Sequence, residues 1–260
     1  MRYLKKGFIS GSTLKIIALV TMITDHLGFG LIYRLLMAYG NVAIPLPDYA
    51  KLFTIYRIMR AIGRIAFPIY CFLLTEGFFH TKDRKRYARR LFVFSLISEP
   101  FFDLCFAATP LYPGYQNVFF TLLIGLLTIW GINSACLYIN DRFLGSNFNL
   151  AAALRTAAII GSSLTGMLVA AILRTDYSYM GVAAIIILYL LRNRRIVQCI
   201  AGAAVFAYEI YAPAAFIPIL FYNGKRGLKL KLFFYIMYPA HLFLIYLVTR
   251  FLGIGSLSPL

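Results

Sequence analysis

LKIIALVTMITDHLG, residues 14–28, decides the fold, because it is an apolar helix that contains an adjacent carboxylate and imidazole. A helix that merely spans a membrane does not need Asp25 and His26 deep inside it, and ionisable groups are costly to keep in a bilayer. Lys15 lies near the start of the same helix. We therefore expect the rest of the chain to form a cage around the Asp25–His26 pair.

The composition of the 260-residue chain indicates a helical membrane protein. Of its residues, 61% are hydrophobic and 13% are charged, and that charged share is about half of what soluble proteins carry. These polar residues are too few to form the surface of a soluble globular protein. We therefore expect a multi-pass protein of the cell membrane, surrounded by the lipid bilayer. Because no hydrophilic stretch is long enough to fold alone, we expect one domain over residues 1–260.

The net charge of +17 is a feature that nucleic-acid-binding proteins often have. Here, however, the basic residues occur in short runs between apolar segments, which is the pattern that sets membrane topology. We therefore predict no nucleic-acid partner. The four cysteines lie singly in apolar segments and lack the spacing of metal ligands, so we also predict no metal site.

Long apolar runs predict an all-α fold, a polytopic transmembrane bundle of about nine helices. The predicted spans are about residues 13–33, 58–79, 91–108, 117–138, 150–173, 180–191, 196–211, 212–222 and 232–252. The seventh and eighth are short, and Pro213 and Pro218 interrupt that region, which leaves the count uncertain by one. With a cytoplasmic N-terminus, the inside segments hold 17 Lys and Arg residues and the outside segments 6. This excess predicts that orientation, with the C-terminus outside.

His26 is the best candidate for a general base. An imidazole has an unperturbed pKa of about 6.5, which suits proton transfer near neutral pH. Asp25 points about 100° around the helix from His26, so it could serve a neighbouring helix. The carboxylate that orients His26 could then be Asp103 or Asp176. A histidine and an aspartate that are simply satisfied at a helix end remain the alternative.

Several other polar residues fall at the predicted depth of His26 or close to a span. Arg64 or Asn117 could stabilise an oxyanion, although Arg64 is equally compatible with a structural ion pair and Asn117 with a helix cap. Glu99 and Asp103 are spaced i, i+4 on one helix, and Arg64 is also a candidate for the cation between these two carboxylates. The predicted catalytic group is His26, Asp25, Arg64, Asp103 and Asn117, and the predicted substrate-binding group is Lys15, Glu76, Glu99, Asp176, Tyr177, Glu209 and His241.

Some of these residues have simpler explanations. Glu76 and His80, one turn apart, fit an ordinary interfacial pair slightly better than a site. His241 follows Pro239 inside a helix, and a hydrogen-bonded packing histidine is the more common use of such a residue. NGKRG, residues 223–227, places two cations between glycines at a predicted cytoplasmic helix start, which suits phosphate groups. A positive-inside turn explains it almost equally well.

Six stretches together resemble the TraX family of membrane proteins, known as F-pilin acetylases. They are LKIIALVTMITDHLG (14–28), GRIAFPIYCFLLTEGFFHT (63–81), LISEPFFDL (96–104), QNVFFTLLIGLL (116–127), DYSYMGV (176–182) and FYNGKRGLKLKLFFYIMYPAHL (221–242). That family is similar to a larger set of integral-membrane acyltransferases, in which a basic residue, ten intervening residues and a His end the first helix. Lys15 and His26 have this spacing.

This resemblance implies acetyl-CoA as the donor and His26 as the catalytic residue. It also makes Asn223, Lys225 and Arg226, in the 223–227 stretch, candidates for binding the phosphates of the donor. The predicted function is thus membrane-bound O- or N-acetyl transfer from cytoplasmic acetyl-CoA to an acceptor at the membrane or outer side. The acceptor could be a peptide amino terminus, a glycan or a lipid.

Two other classes of function remain open from the sequence. Intramembrane His and carboxylate groups also form proton relays, so a proton-coupled transporter is the main alternative. Against it, the chain has no detectable inverted repeat. A protein that assists the assembly of a membrane-inserted partner, with a purely structural polar interior, is the third.

Overall fold

The computed structural model describes residues 7–41, 45–228 and 231–260, without the side chain of residue 231. The secondary structure in these ranges is helical, as predicted. Two isolated parallel bridges join connections to each other, Ile9 with Tyr222 and Gln116 with Thr175. Four cations that contribute to the predicted inside charge lie outside the described residues: Arg2, Lys5, Lys6 and Lys229.

The helices follow one another with short connections. They are α1 (Gly11–Leu27), α2 (Tyr33–Met37), α3 (Tyr49–Gly63), α4 (Ala66–His80), α5 (Arg84–Phe106), α6 (Val118–Phe143), α7 (Phe148–Ile172), α8 (Ser178–Leu190), α9 (Arg195–Val205), α10 (Phe216–Leu220) and α11 (Lys231–Phe251). A π-helical turn, Gly28–Ile32, joins α1 to α2, and a 3₁₀ turn, Ala212–Ala215, precedes α10. Nine of these α-helices have 11 or more residues, which confirms the predicted count of about nine for the described chain.

Five helical stretches of the described chain are long and apolar enough to cross a membrane. They are Gly11–Met37, Tyr49–His80, Val118–Phe143, Phe148–Ile172 and Leu232–Phe251. α5 has 23 residues, but its first two turns are strongly basic. Length and composition therefore support a membrane protein. The side on which each end lies stays a prediction.

The second predicted span, 58–79, is in fact two helices. α3 begins at Tyr49, where the Asp48 carboxylate accepts a hydrogen bond from the Lys51 amide at 2.9 Å, and it ends at Gly63. The chain then turns through Arg64 and Ile65 before α4 begins. Gly63 lies directly against the Asp25 side chain, where a Cβ atom would collide. The break thus allows α3 to approach α1 closely while α4 continues into the core.

The seventh and eighth predicted spans are wrong as membrane crossings. The region 196–222 forms α9, the 3₁₀ turn and α10, of 11, 4 and 5 residues. Eleven residues of α-helix cover about 16 Å, about half of the hydrocarbon thickness. Pro213, which lacks a backbone donor, lies in the 3₁₀ turn between the two helices. The large apolar side chains of this region are of two kinds: Phe206 and Phe216 are buried, whereas Ile200 and Ile210 are exposed.

The core is centred on α4, which packs against α1, α6 and α8. Its Ile69, Phe72 and Phe78 side chains are completely buried. Arg34, expected in an outside loop, is also completely buried in α2. Its guanidinium donates to the backbone carbonyls of Leu257 at 2.7 Å and Gly30 at 3.0 Å. Arg34 therefore ties the turn after α1 to the end of the chain, and its role is structural.

Candidate active site

His26 and His241 form the centre of the candidate site. His26 lies in the last turn of α1, and His241 lies in α11, two residues after Pro239. The His26 Nδ1 atom is 2.6 Å from Nε2 of His241, and the planes of the two rings are nearly parallel, at 8°, with centroids 4.9 Å apart. The expectation that a carboxylate, Asp103 or Asp176, orients His26 was therefore wrong. Helical phase could not reveal this partner, because His241 is 215 positions away in the chain.

A backbone carbonyl fixes the direction of the hydrogen bonds in this pair. The His241 Nδ1 atom is 2.6 Å from the carbonyl oxygen of Met237, which can only accept, so Nδ1 of His241 carries a proton. In the neutral pair, Nε2 of His241 then accepts and Nδ1 of His26 donates. The remaining lone pair is on Nε2 of His26. This arrangement leaves His26 as a base with its orientation and tautomer set by another helix.

Aromatic side chains surround the histidine pair. Phe106 and Tyr238 contact the His26 ring edge-on, with centroids 5.3 and 5.9 Å from it. His241 is only 4% exposed, whereas His26 is half-buried. The pair therefore has largely apolar surroundings, and His26 is its more exposed member.

A cavity of about 500 Å³ lies below the pair, between α1, α4, α5, α6 and α11. We call one end the histidine end, lined by Met22, Val118, Phe119 and Tyr238. Met22 precedes His26 by four residues on one helix, so the two side chains lie on the same face, one turn apart. The other end, which we call the basic end, is lined by Lys15, Arg90 and Arg226. The cavity thus joins a cluster of cations to the neighbourhood of the base.

Arg90 is a member of this site that the sequence did not single out. It lies within the basic run 80–90, which topology alone explains. Its Nε atom is buried and has no hydrogen-bond partner among the described residues. Arg90 also lines the cavity, and a guanidinium there is suited to bind an anion through charge-assisted hydrogen bonds. The only sequence signal for it was its place near the start of α5, at the level of Lys15.

The 223–227 stretch docks on the start of α1. The carbonyls of Lys225 and Arg226 accept hydrogen bonds from the amides of Gly11 and Ser12, at 2.8 and 2.9 Å. The first amides of α1 are therefore occupied by backbone. Of the three residues predicted to bind donor phosphates, Arg226 lines the cavity. Asn223 accepts from the Lys225 amide through its side chain, and Lys225 is exposed outside the lining.

Asp25 belongs to a network of ion pairs and not to His26. It pairs with Arg60 at 2.6 Å and with Arg64 at 3.7 Å, and Arg64 also pairs with Glu209 at 3.0 Å. The inference that Asp25 serves a neighbouring helix is confirmed. The expected place of Arg64 between Glu99 and Asp103 is wrong, because α3 ends at Gly63 and its turn faces α1 and the chain after α9.

The carboxylates of α5 bind the connection to α6. Glu99 accepts from both the backbone amide and the side-chain amide of Asn117, and the Asp103 carboxylate accepts from the Tyr112 amide at 2.8 Å. Asn117 also caps α6 by accepting from the Phe119 amide at 2.9 Å. The side-chain groups of Asn117 and Arg64 are thus already engaged, which leaves the oxyanion role that we predicted for them without a free donor.

The remaining predicted site residues, Asp176, Tyr177 and Glu76, are buried or partly buried and already have partners. Asp176 accepts a hydrogen bond from the Tyr115 hydroxyl at 2.7 Å, and Tyr177 stacks on Phe67 with centroids 3.8 Å apart. Glu76 lines the cavity near its basic end and lies 3.8 Å from Arg195. The structure therefore brings Lys15, Glu76 and Arg226 into the cavity lining, while His26 lies one helical turn from Met22 at the histidine end and pairs with His241. It places Asp25, Arg64 and Glu209 in one network of ion pairs, and it places Asp176 and Tyr177 in contacts with Tyr115 and Phe67.

Similarity to known proteins extends over nearly the whole chain. A family model described as TraX protein matches residues 10–249. A probable fimbrial assembly protein FimC, serogroup H1, of Dichelobacter nodosus is 27% identical, over 94% of this chain and 97% of that protein. No solved structure matches the chain. Since the family match runs from the start of α1 to the end of α11, the chain belongs to the TraX family.

Proposed function

We propose that this protein is a membrane-bound acetyltransferase that moves an acetyl group from cytoplasmic acetyl-CoA to an amine or hydroxyl acceptor. The observation that carries the proposal is the His26–His241 pair, which leaves Nε2 of His26 free to accept a proton. The pair lies one helical turn beyond the cavity of about 500 Å³. A general base at the end of a cavity with a basic entrance matches what thioester transfer needs.

The cavity supports a donor with phosphate groups at one end and a reactive carbonyl at the other. Lys15, Arg90 and Arg226 at the basic end supply charge for phosphates, and the free Nε of Arg90 can donate a charge-assisted hydrogen bond. Apolar side chains such as Leu73 and Leu122 line the middle, where a thin pantetheine arm can lie. Lys15 and His26 are 11 residues apart, which is about 16 Å along the helix.

The proposed reaction is a direct acyl transfer. The acceptor nitrogen or oxygen attacks the thioester carbonyl carbon while Nε2 of His26 takes the proton that the acceptor loses. The bond from the acceptor to the acetyl carbon forms, the carbon–sulfur bond breaks, and the thiolate of CoA leaves. His26 then returns its proton to that thiolate. His241 stabilises the protonated state by accepting from Nδ1 of His26 throughout.

The acceptor is proposed from the family and the relative. The resemblance to pilin acetylases and the relative named as a fimbrial assembly protein favour a subunit of a cell-surface fibre. In that case the acceptor is a peptide amino terminus or hydroxyl presented at the membrane. A glycan or lipid hydroxyl would use the same chemistry, and mass spectrometry of envelope peptides and glycans with and without the protein distinguishes them.

The proposal is tested by acetyl transfer with the purified protein in lipid nanodiscs. Release of CoA thiol from acetyl-CoA is followed in the presence of envelope extract from cells that lack the protein. We expect activity in the natural protein and a loss of about 10²–10⁴-fold in His26→Ala. Tyr246→Phe, a substitution on α11 outside the cavity lining, is the control for general effects on folding. Equal activity of the natural protein and His26→Ala would contradict the mechanism.

A further inference from the structure

Tyr238 is a buried side chain at the histidine end whose hydroxyl donates no hydrogen bond to any of the described residues. It is 2% exposed, and its Oη atom has no hydrogen-bond partner among the described residues. Its ring lies edge-on to both histidines, with centroids 5.9 Å from His26 and 5.7 Å from His241. The side chain also lines the cavity. An unsatisfied hydroxyl of this kind is costly, and phenylalanine would avoid the cost.

The surroundings of Tyr238 hold the hydroxyl in a fixed place. Its ring packs on Phe119 in a T-shaped contact with centroids 4.8 Å apart. Val118, the first residue of α6, lines the same end of the cavity, so the positive end of the α6 dipole is nearby. The Tyr238 hydroxyl and the start of α6 therefore lie close to His26. Such a donor and helix dipole can stabilise a negative charge that develops on a carbonyl oxygen.

We propose that the Tyr238 hydroxyl donates the hydrogen bond that stabilises the oxyanion formed from the thioester carbonyl oxygen, which makes Tyr238 a catalytic residue. The inference rests on the proposed acetyl transfer. As the acceptor attacks and His26 takes its proton, the carbonyl π electrons move to oxygen, and the Tyr238 hydroxyl donates to it without losing its own proton. When the carbonyl re-forms and the carbon–sulfur bond breaks, the charge leaves with the thiolate.

The direct test compares Tyr238→Phe with the natural protein under saturating acetyl-CoA. We expect kcat to fall by about 10²–10³-fold, as for the loss of one oxyanion donor, while the KM for acetyl-CoA changes little. Tyr246→Phe is the matched control, because Tyr246 is on the same helix two turns later and outside the cavity lining. It should retain the natural activity.

Two further measurements separate a catalytic role from a structural one. Because Tyr238→Phe removes a hydroxyl that lacks a partner, its melting temperature should equal or exceed that of the natural protein. A trifluoromethyl-ketone analogue of acetyl-CoA, whose hydrate resembles the tetrahedral intermediate, should bind the natural protein more tightly than the plain ketone analogue. Tyr238→Phe should lose this preference and keep the affinity for the plain ketone.

The outcomes distinguish this inference from the proposed function. If the natural protein transfers acetyl groups with dependence on His26, and Tyr238→Phe stays within threefold of it, the oxyanion role is wrong and the transferase stands. If the natural protein transfers no acetyl group and does not discriminate between the two ketones, both are wrong. A variant that is slow only because its melting temperature has dropped would also count against the oxyanion role.

Discussion

Nδ1 of His26 lies 2.6 Å from Nε2 of His241, so that the first and last long helices of the bundle meet in one hydrogen bond. His241 in turn donates to the Met237 carbonyl, so this series of hydrogen bonds ends at a neutral acceptor and not at a carboxylate. A protonated His26 therefore shares its charge with a second imidazole. Because the partner is neutral, the orientation of the base depends on how α11 packs against α1.

The first prediction concerns His241 as a positioning residue. His241→Ala removes the acceptor for Nδ1 of His26, so the ring can rotate and change tautomer. We expect kcat to fall by about 100-fold, the effect of a small misplacement of a reacting group, with little change in the KM for acetyl-CoA. His241→Gln retains a side-chain acceptor and should recover part of the loss. A rise in KM without a change in kcat would show that His241 binds substrate instead.

The second prediction concerns Arg90 in donor binding. Arg90→Gln should weaken acetyl-CoA binding by about 10–100-fold, the value of a hydrogen bond to a charged group. Isothermal titration calorimetry with acetyl-CoA measures the loss, and acetyl-pantetheine, which lacks the nucleotide phosphates, should bind both forms equally. Arg89→Gln removes a neighbouring exposed cation outside the cavity and serves as the control. Equal losses in both variants would assign the effect to general surface charge.

The third prediction concerns the stability that the Asp25 network provides. Asp25→Ala leaves two guanidiniums without their shared carboxylate and should lower the free energy of unfolding by about 2 kcal/mol, less than for a fully buried pair. Arg60→Ala should cost less, because Arg64 remains 3.7 Å from Asp25. Melting in detergent gives the order. Lys51→Ala breaks an exposed pair with Asp48 and should have almost no effect. A larger loss for Arg60→Ala than for Asp25→Ala contradicts this account.

The fourth prediction concerns the docking of the 223–227 stretch on α1. Gly227 has a φ of +70°, and a Cβ atom there would collide with the hydroxyls of Ser10 and Ser12. Gly227→Ala should therefore destabilise the protein by more than the roughly 1–2 kcal/mol of a left-handed alanine. Gly224 has a φ of +76° with open space around it, so Gly224→Ala should show the backbone cost alone. Thermal melts that rank the two variants equally would remove the steric argument.

Much of the fold was predictable because its signals are local. Apolar runs that are long enough to form spans identified α1, α6, α7 and α11 to within a few residues. Helical phase correctly separated Asp25 from His26, because adjacent residues point about 100° apart. The same approach failed over 196–222, where an apolar sequence is short and broken by proline. There, buried residues such as Ile219 and exposed ones such as Ile217 are equally apolar, so composition does not distinguish a short packed segment from a span.

The site was only partly predictable from the sequence. His26 and Lys15 stood out because a charge within an apolar helix is visible without a structure. Arg90 and Tyr238 did not, since one lies in a basic run and the other is one of 19 tyrosines. Each of the two residues lines the cavity and has a buried polar atom without a hydrogen-bond partner among the described residues, and both properties depend on atoms that are distant in the sequence.

The sequence by itself determined the membrane class, the family and the residue most suited to act as a base. The membrane class and the base follow from composition, periodicity and spacing, which are properties of neighbouring residues, and the family follows from the resemblance of six stretches and the family match. The tertiary structure was needed to show that His26 is paired with His241, that Arg64 binds Asp25 and Glu209, and that the Tyr238 hydroxyl has no hydrogen-bond partner among the described residues. Those partners come from distant helices, and the free energy that selects them is the packing and hydrogen bonding of the whole bundle.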